Sequence, residues 1–285
     1  KTLMAKCFPS ILPPLTLPEA LELTKIYSIC GLLSQEEPLM SKRPFRAVHH
    51  TASANGIIGG GSNPKPGEIT LAHRGVLFLD EMVEFPRAVL EVLRQPLEDG
   101  ESVISRATHS IKYPAKFILL GAMNPCPCGY LGDKEKHCTC SDFQISRYLG
   151  KLSGPLLDRI DLQIDVSRLT PEELLNSTVK EEDSATIRRR VIKAREIQLE
   201  RYKDDGIFTN SELTSKLIKK YCKVDEQSQS LLKVAIVKYQ LSGRRYDRVL
   251  KLARTLADLD GVKDIGQIHV MQALQYRMGV DIPIS

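Results

Sequence analysis

Asp80 and Glu81 are adjacent carboxylates that directly follow an apolar run at residues 75–79. An unbroken apolar run of this length is typical of a central strand in a parallel sheet that is covered on both faces. The carboxyl ends of such strands are where open α/β sheets bind their ligands. In nucleotide hydrolases a first acid at this point holds Mg²⁺, and a second one orients or deprotonates the attacking water. The alternative interpretation is an apolar strand that ends in a solvated acidic turn.

Lys1 and Thr2 have the residue types that close a phosphate-binding loop, G-x-x-x-x-G-K-[ST], and they lead into a predicted helix. In such a loop the lysine reaches the β- and γ-phosphates, and the threonine hydroxyl ligates Mg²⁺. The glycines of the loop and the strand before them are not part of the sequence. Lys1 and Thr2 indicate a phosphate-binding loop because Asp80 and Glu81 follow them at a distance in the sequence that suits one α/β core.

Asn124 follows a second apolar run, residues 117–122, and is predicted to lie at the same edge of the sheet as Asp80 and Glu81. An amide at this edge would contact both a γ-phosphate and the water that attacks it. The alternative is an asparagine that begins a turn, because Asn-Pro is a common turn opener.

Arg159 and Arg244 are basic residues next to predicted element boundaries. An arginine delivered to a γ-phosphate stabilises transition-state charge and is worth about 10³–10⁵ in rate. Arg159 fits this role, and a local ion pair with Asp158 or Asp161 is the alternative. Arg244 begins a predicted helix, where a basic side chain opposes the helix dipole and calls for an acidic neighbour or an external anion. A nucleotide phosphate would be such an anion.

Four cysteines form the pattern C-x-C-x₉-C-x-C, and a histidine precedes the third: Cys126, Cys128, Cys138 and Cys140. Four soft ligands in a short loop suit a tetrahedral structural zinc ion. The C-x-C pairs are tighter than the usual C-x₂-C, and the alternative is a loop of reduced thiols without metal. We favour zinc at this loop.

The composition excludes a membrane-spanning protein and allows two domains. The 285 residues are 42% hydrophobic and 26% charged, with a net charge of +5 and 7 cysteines. No apolar stretch approaches the ~20 residues of a membrane span, and the first residues lack the pattern of a signal peptide. The closely spaced cysteines favour a reducing compartment, the cytoplasm. The mild positive charge permits nucleic acid as a partner without requiring it.

The apolar pattern predicts mixed helices and strands up to about residue 170 and helices alone after it. We therefore predict an α/β nucleotide-binding core over residues 1–170 and a helical domain over residues 171–285. Basic residues at 188–203 form a helix face that is either solvated or in contact with nucleic acid. The elements predicted for the core are a helix capped by Thr16 and Glu19 that ends near Gly31, strands at 43–50, 75–79, 117–122 and 160–166, a glycine-rich loop at 55–61, a helix at 86–97 and a hairpin at 103–113.

Five motifs between residues 43 and 166 carry a specific resemblance: R-P-F-R-A-V-H-H-T, G-G-G-S-N-P-K-P-G-E-I-T-L-A-H-R-G-V-L-F-L-D-E-M, R-Q-P-L-E-D-G, M-N-P-C-P-C-G and S-G-P-L-L-D-R-I-D. With them, the sequence resembles the YifB/ComM branch of the magnesium-chelatase family of AAA+ ATPases. The helical part, with S-G-R-R-Y-D-R-V-L-K-L-A-R-T-L-A-D-L, is similar to the lid domain of that family. The resemblance covers nearly the whole sequence.

The resemblance implies an AAA+ P-loop core with a parallel sheet, followed by an α-helical lid domain. It implies that Lys1 and Thr2 close the Walker A loop, that Asp80 and Glu81 form Walker B, that Asn124 is sensor 1, that Arg159 is an arginine finger acting on a neighbouring subunit, and that Arg244 is the sensor-2 arginine of the lid. The glycine-rich segment before residue 75 is similar to the helix-2 insert, and residues 103–113 are similar to the pre-sensor-1 hairpin. Both are expected to line the pore of a ring, a homo-hexamer.

The resemblance also implies a function. ATP and Mg²⁺ are the expected cofactors, and DNA is the expected partner, remodelled by branch migration or helicase-like action during recombination of incoming strands. Two alternatives stay open: the motor subunit of a metal chelatase that acts on a protein partner, and a nucleotide-gated assembly module with little turnover. The C-P-C-G motif favours the DNA motor.

Overall fold

The computed structural model describes residues 1–60, 65–105, 110–133, 135–167 and 182–278. Contacts within the chain define two units, one over residues 1–159 and another that begins at Ile160. The domain boundary predicted near residue 170 lies outside the described residues and stays a prediction. Each unit is treated below by itself.

The first unit mixes helices with short strands. In chain order its elements are α1 (Thr2–Cys7), α2 (Leu17–Ile29), β1 (Phe45–Val48), α3 (Ala54–Ile58), β2 (Gly59–Gly60), β3 (Lys65–Pro66), α4 (Glu68–Leu71), β4 (Val76–Leu79), α5 (Arg87–Glu91), α6 (Arg94–Asp99), β5 (Glu101–Ser105), β6 (Ser110–Pro114), β7 (Ile118–Gly121), α7 (Asp142–Leu149) and α8 (Gly154–Leu157).

A parallel three-stranded sheet in the order β1-β4-β7 forms the centre of the first unit. Every residue of the middle strand β4 is buried, as its apolar run predicts. Leu77 and Leu79 of this strand pack into the main apolar core together with Leu90 and Leu156. β7 was predicted to be buried as well, but it is the outer strand of this sheet and Ile118 remains 43% exposed.

Several predicted elements of the first unit are confirmed. α2 begins with the capping box that Thr16 and Glu19 predict, and β5 pairs with β6 as the predicted hairpin. The helix predicted at residues 86–97 is instead divided into α5 and α6. Pro96 explains the division, because a proline has no N–H to donate to the carbonyl group four residues before it.

The glycine-rich segment was predicted to be a loop without core contacts, and this prediction is wrong at its beginning. Residues 54–58 form helix α3, and Ile57 on this helix is fully buried. Ser53 starts the helix, because its hydroxyl accepts a hydrogen bond from the N–H of Gly56 at 3.1 Å. The glycines dominate the composition of the segment and hide this cap. Residues 61–64 and 106–109 lie outside the described residues.

The second unit is helical in its described part, as the sequence predicts. Its elements are α9 (Ser184–Arg201), α10 (Ser215–Tyr221), α11 (Glu226–Tyr239), α12 (Gly243–Leu259) and α13 (Gln267–Met278). Val249, Leu250 and Ala253 of α12 are buried in a core shared with the other helices. No helix in the described part of the chain is long and apolar enough to cross a bilayer.

The strand predicted at residues 160–166 is not formed. This segment has no regular structure, although its apolar residues alternate with polar ones. It contacts the last helix instead: the N–H of Gln163 donates to the carbonyl oxygen of Tyr276 at 2.9 Å, and Arg277 donates to that of Ile160 at 3.0 Å. Alternation predicts which face of a strand is apolar, but a strand also requires a partner strand for its backbone.

Candidate functional site

The carboxyl ends of β1, β4 and β7 meet at one edge of the central sheet. The three strands are parallel and in register, with Val48 opposite Leu79 and Leu79 opposite Gly121. The polar residues that follow these strands therefore share this edge. Asp80 follows β4 directly, and Asn124 comes three residues after β7.

The start of α1 contacts this edge through its N-cap residue, Lys1, and its first residue, Thr2. The hydroxyl of Thr2 donates to Oδ2 of Asp80 at 2.7 Å, and the ammonium group of Lys1 donates to the carbonyl oxygen of Met123 at 2.7 Å. Met123 precedes Asn124 in the chain. Four residues that the sequence singled out, Lys1, Thr2, Asp80 and Asn124, are thereby brought to the same place.

Glu81 turns away from the strand with an unusual backbone. Its φ of 50° and ψ of 47° lie in the left-handed region, which residues with a side chain rarely adopt. Its N–H donates to Oδ1 of Asp80 at 3.1 Å, and its side chain is 63% exposed. Such strain is concentrated at functional sites, and here it leaves the second carboxylate accessible to a ligand.

His50 lies at the same sheet edge, although the sequence predicts no role for it. Its Nδ1 lies 3.7 Å from a carboxylate oxygen of Glu81, and the centre of its ring lies 4.1 Å from that of His49. The signal was its position two residues after β1, the strand next to β4, which brings it to the same sheet edge.

Asn124 is exposed, but the groups around it fix its position. Its backbone hydrogen-bonds the hydroxyl group of Tyr148 on α7, and burial raises the pKa of that tyrosine. The side-chain amide of Asn124 lies against Gly129, since a Cβ placed on this glycine would be 3.9 Å from Cγ of the asparagine.

The two arginines have different surroundings. Arg159 forms an ion pair with Glu98 within the first unit and donates to the carbonyl oxygen of Pro155 at 2.6 Å. The local partners considered from the sequence, Asp158 and Asp161, did not include Glu98. Arg244 lies in the first turn of α12 in the second unit, after the N-cap residue Ser242.

The sulfur atoms of Cys126, Cys128, Cys138 and Cys140 lie within 4.8 Å of one another. The distances are 3.4 Å for the first pair of cysteines, 3.6 Å between the first and third, and 3.5 Å between the second and third. Four sulfur atoms around a zinc ion at about 2.3 Å would be about 3.8 Å apart, so the cluster has close to the size that tetrahedral zinc requires. The four thiols are free of disulfide bonds.

The thiols of Cys128 and Cys138 differ in pKa because their surroundings differ. The backbone N–H of Tyr130 stabilises the thiolate of Cys128 and lowers the pKa of that thiol to about 6. For Cys138 a backbone N–H from Cys140 acts in the same direction, but burial and the neighbouring sulfur atoms outweigh it and raise the pKa to about 12.

Comparison with known proteins identifies the family. Residues 1–174 match the family model of the magnesium chelatase subunit ChlI, and residues 181–277 match the model of the C-terminal part of that subunit. The chain belongs to the magnesium chelatase ChlI family.

Within this family the chain is most usefully compared with three relatives. It is 47% identical over 280 residues to the competence protein ComM of Haemophilus influenzae, covering 97% of the chain and 53% of that protein. It is 42% identical over 277 residues to the uncharacterized protein YifB of Escherichia coli, covering 97% of the chain and 53% of that protein. It is 28% identical over 149 residues to a magnesium-chelatase subunit ChlI homolog of Methanocaldococcus jannaschii, covering 47% of the chain and 35% of that protein. The chain thus spans about half the length of ComM and YifB.

These matches confirm the predicted ComM- and YifB-like family. For a magnesium chelatase family member, the parallel sheet with its helices and the helical second unit are the expected AAA+ P-loop core and lid, so the predicted fold class is confirmed. The roles assigned to individual site residues stay predictions.

Proposed function

We propose that the protein is an ATP-hydrolysing AAA+ ring motor that uses Mg²⁺ and acts on DNA in the cytoplasm. The observation that carries the proposal is the meeting of Lys1, Thr2 and Asp80 beside the Asn124 loop at one sheet edge. An ammonium group, a hydroxyl and a carboxylate at such an edge are the groups that bind a magnesium nucleotide. Membership of a family of AAA+ ATPases supports the same activity.

Each residue then has a defined task. Lys1 neutralises phosphate charge, and Thr2 with Asp80 offers hard oxygen ligands to Mg²⁺, the type of ligand this ion prefers. The exposed carboxylate of Glu81 orients the attacking water, and Asn124 contacts that water and the terminal phosphate. Bound ATP supplies the phosphoanhydride bond that is cleaved.

The arginines complete the site from other parts of a homo-hexameric ring. We propose that Arg159 stabilises the transition state in the site of a neighbouring subunit, which requires it to leave Glu98. Arg244, at the start of α12, would contribute positive charge from the lid of the same subunit. The helix-2 insert and the β5–β6 hairpin would line the pore.

We propose DNA as the cargo. The relative with 47% identity is named a competence protein, and the net charge of the chain is +5. A protein cargo is the second candidate, because more distant relatives carry the name of magnesium chelatase subunits. Both candidates share the same ATP site and differ in what the ring acts on.

A phosphate-release assay on the full-length protein tests the proposal. We expect forked DNA to stimulate hydrolysis and Lys1→Ala to abolish it, because the phosphates lose their cation. Lys6→Ala is the matched control, since Lys6 is an exposed lysine in the last turn of the same helix. Stimulation by a protein partner alone would favour the chelatase role. Absence of turnover with either partner would contradict the motor and favour a nucleotide-gated module.

We also propose that the four cysteines bind one structural Zn²⁺. Separations of 3.4–3.6 Å among three of the sulfur atoms, the position of the fourth within 4.8 Å of them, and the soft donor set support this. Metal analysis by mass spectrometry, on protein purified without added zinc, should give about one zinc per chain. A folded protein with a zinc content near zero would contradict the site.

A further inference from the structure

The Asn124 loop and the cysteine cluster are parts of one short segment. Residues 123 and 124 lie at the sheet edge, and Cys126 follows after a single proline. The carbonyl oxygen of Met123 accepts a hydrogen bond from Lys1, whereas Sγ of Cys126 lies 3.4 Å from that of Cys128. Two residues of chain therefore separate a contact of the candidate ATP site from the sulfur cluster.

The cysteine loop passes close to the side chain of Asn124. Cys126 is fully buried, and its carbonyl oxygen accepts a hydrogen bond from the N–H of Gly129 at 3.0 Å. Gly129 has a φ of 82°, a conformation that favours glycine, and it lies against the asparagine amide. The turn that contains Cys126 and Cys128 therefore lies next to Asn124.

The other end of the cysteine loop also leads to Asn124. Cys140 precedes Ser141, whose hydroxyl caps α7 by accepting from the N–H of Gln144 at 3.3 Å. Tyr148 on this helix hydrogen-bonds the backbone of Asn124. A metal ion that joins the two pairs of cysteines would tie both supports of Asn124 together.

We propose that zinc in the cysteine cluster positions Asn124 for ATP, so that zinc binding and ATP binding strengthen each other. The inference rests on the proposed ATP and zinc sites and adds a coupling between them. Coupling of two binding equilibria is reciprocal: if zinc strengthens ATP binding by some factor, ATP strengthens zinc binding by the same factor. Measured couplings of this kind are commonly about fivefold or larger.

Zinc retention in the full-length protein tests the coupling without measuring hydrolysis. The protein carries Glu81→Gln to keep ATP intact, and a coloured zinc chelator competes for the metal at equilibrium. We expect ATP with Mg²⁺ to raise the apparent zinc affinity by about fivefold or more, and ADP to raise it less because ADP lacks the terminal phosphate. Zinc-depleted protein should bind ATP more weakly by the same factor.

Asn124→Ala separates positioning from mere stability of the loop. This variant should hold zinc as tightly as its parent without nucleotide, but ATP should no longer raise the zinc affinity. Gln35→Ala is the matched control, since Gln35 is an exposed amide residue of the same unit and its loss should leave the effect of ATP intact. Equal zinc content in both variants shows that the loop is folded.

The possible outcomes distinguish the coupling from the proposals beneath it. If ATP binds and is hydrolysed by the parent protein but zinc affinity is the same with and without ATP, the coupling is wrong and the motor stands. If Asn124→Ala keeps the full effect of ATP, Asn124 is not the connecting residue and the inference is overturned. Absence of ATP binding in the parent, or iron in place of zinc, would overturn the coupling together with the corresponding proposal.

Discussion

Asp80 in the first unit and Asp258 in the second are each the centre of a polar cluster, and the two clusters differ in what completes them. Asp258 is fully buried and accepts hydrogen bonds from Arg201 at 2.5 and 2.9 Å, from Arg254 at 3.1 Å and from Asn210 at 2.8 Å. At the sheet edge Asp80 accepts from Thr2, and the neighbouring carboxylate of Glu81 remains 63% exposed.

The charges around Asp258 stabilise the fold, whereas the charges at the sheet edge are accessible to a ligand. Around Asp258 the chain itself supplies the donors that a buried carboxylate requires, so the cluster stabilises the helical unit. At the sheet edge the side chains converge but remain accessible, and the magnesium nucleotide proposed above would complete them. Variants in the two clusters should therefore affect different properties of the protein.

The largest effect is expected for Glu81→Gln in the full-length protein. If this carboxylate orients the attacking water as proposed, its loss should lower the rate of ATP hydrolysis by about 10²–10⁴ and leave ATP affinity and the melting temperature nearly unchanged. Glu84→Gln is the control, because Glu84 lies three residues further on and forms an exposed ion pair with Lys151 at 3.2 Å. Normal hydrolysis by Glu81→Gln would remove Glu81 from the mechanism and weaken the contrast between the clusters.

Asp258→Asn should have the opposite profile. It leaves the buried guanidinium groups of Arg201 and Arg254 without a carboxylate, which should lower the free energy of unfolding of the helical unit by about 3–5 kcal/mol. Chemical denaturation measures this loss. Asp260→Asn is the control: Asp260 is 61% exposed beside His269, so its loss should cost at most about 1 kcal/mol. An equal decrease in the free energy of unfolding for both variants would show that the buried Asp258 cluster stabilises the protein no more than an exposed ion pair does.

The smallest effect on stability is expected for exposed arginines of α9. Combined replacement of Arg188, Arg189 and Arg190 by alanine should change the free energy of unfolding by about 0.5 kcal/mol or less, because these residues are exposed. If α9 binds DNA, the same variant should weaken DNA binding and make its salt dependence shallower, by about one unit of slope for each phosphate that is no longer bound.

A second basic triple serves as the charge control for this experiment. Lys216, Lys219 and Lys223 are exposed lysines of the same helical unit, and their replacement by alanine removes the same number of positive charges. Equal weakening of DNA binding by both triples would indicate a general charge effect and contradict a DNA-binding role specific to α9.

The sequence predicted the sheet edge well because its signals are local. Asp80 follows directly on a buried strand, and the parallel pairing of β4 with β7 then brings Asn124 to the same side. The family motifs added the fold class. No role was predicted for His50, because paired histidines beside a strand are more often structural and only the pairing of β1 with β4 places its ring next to Glu81.

The basic stripe of α9 shows why the rest was not predictable. Arg195 and Arg201 appeared to belong to one solvent-facing surface with Arg188, but both point inward. Arg195 donates to the carbonyl oxygen of Phe208 at 2.7 Å. Arg201 donates to the carboxylate of Asp258, which is 57 residues away in the chain. Helical periodicity identifies residues that share a face, but it does not show which distant acid will cover that face.

The ion pair of Arg159 with Glu98 bears on how a ring would assemble. In a single subunit the carboxylate of Glu98 already compensates the charge of this guanidinium group. When two subunits join, Arg159 would exchange the carboxylate of Glu98 for the phosphate groups in the neighbouring site. It would not form an additional ion pair. If the proposed ring forms, Arg159 therefore adds no net ion pair, and this residue should contribute little to the salt dependence of assembly.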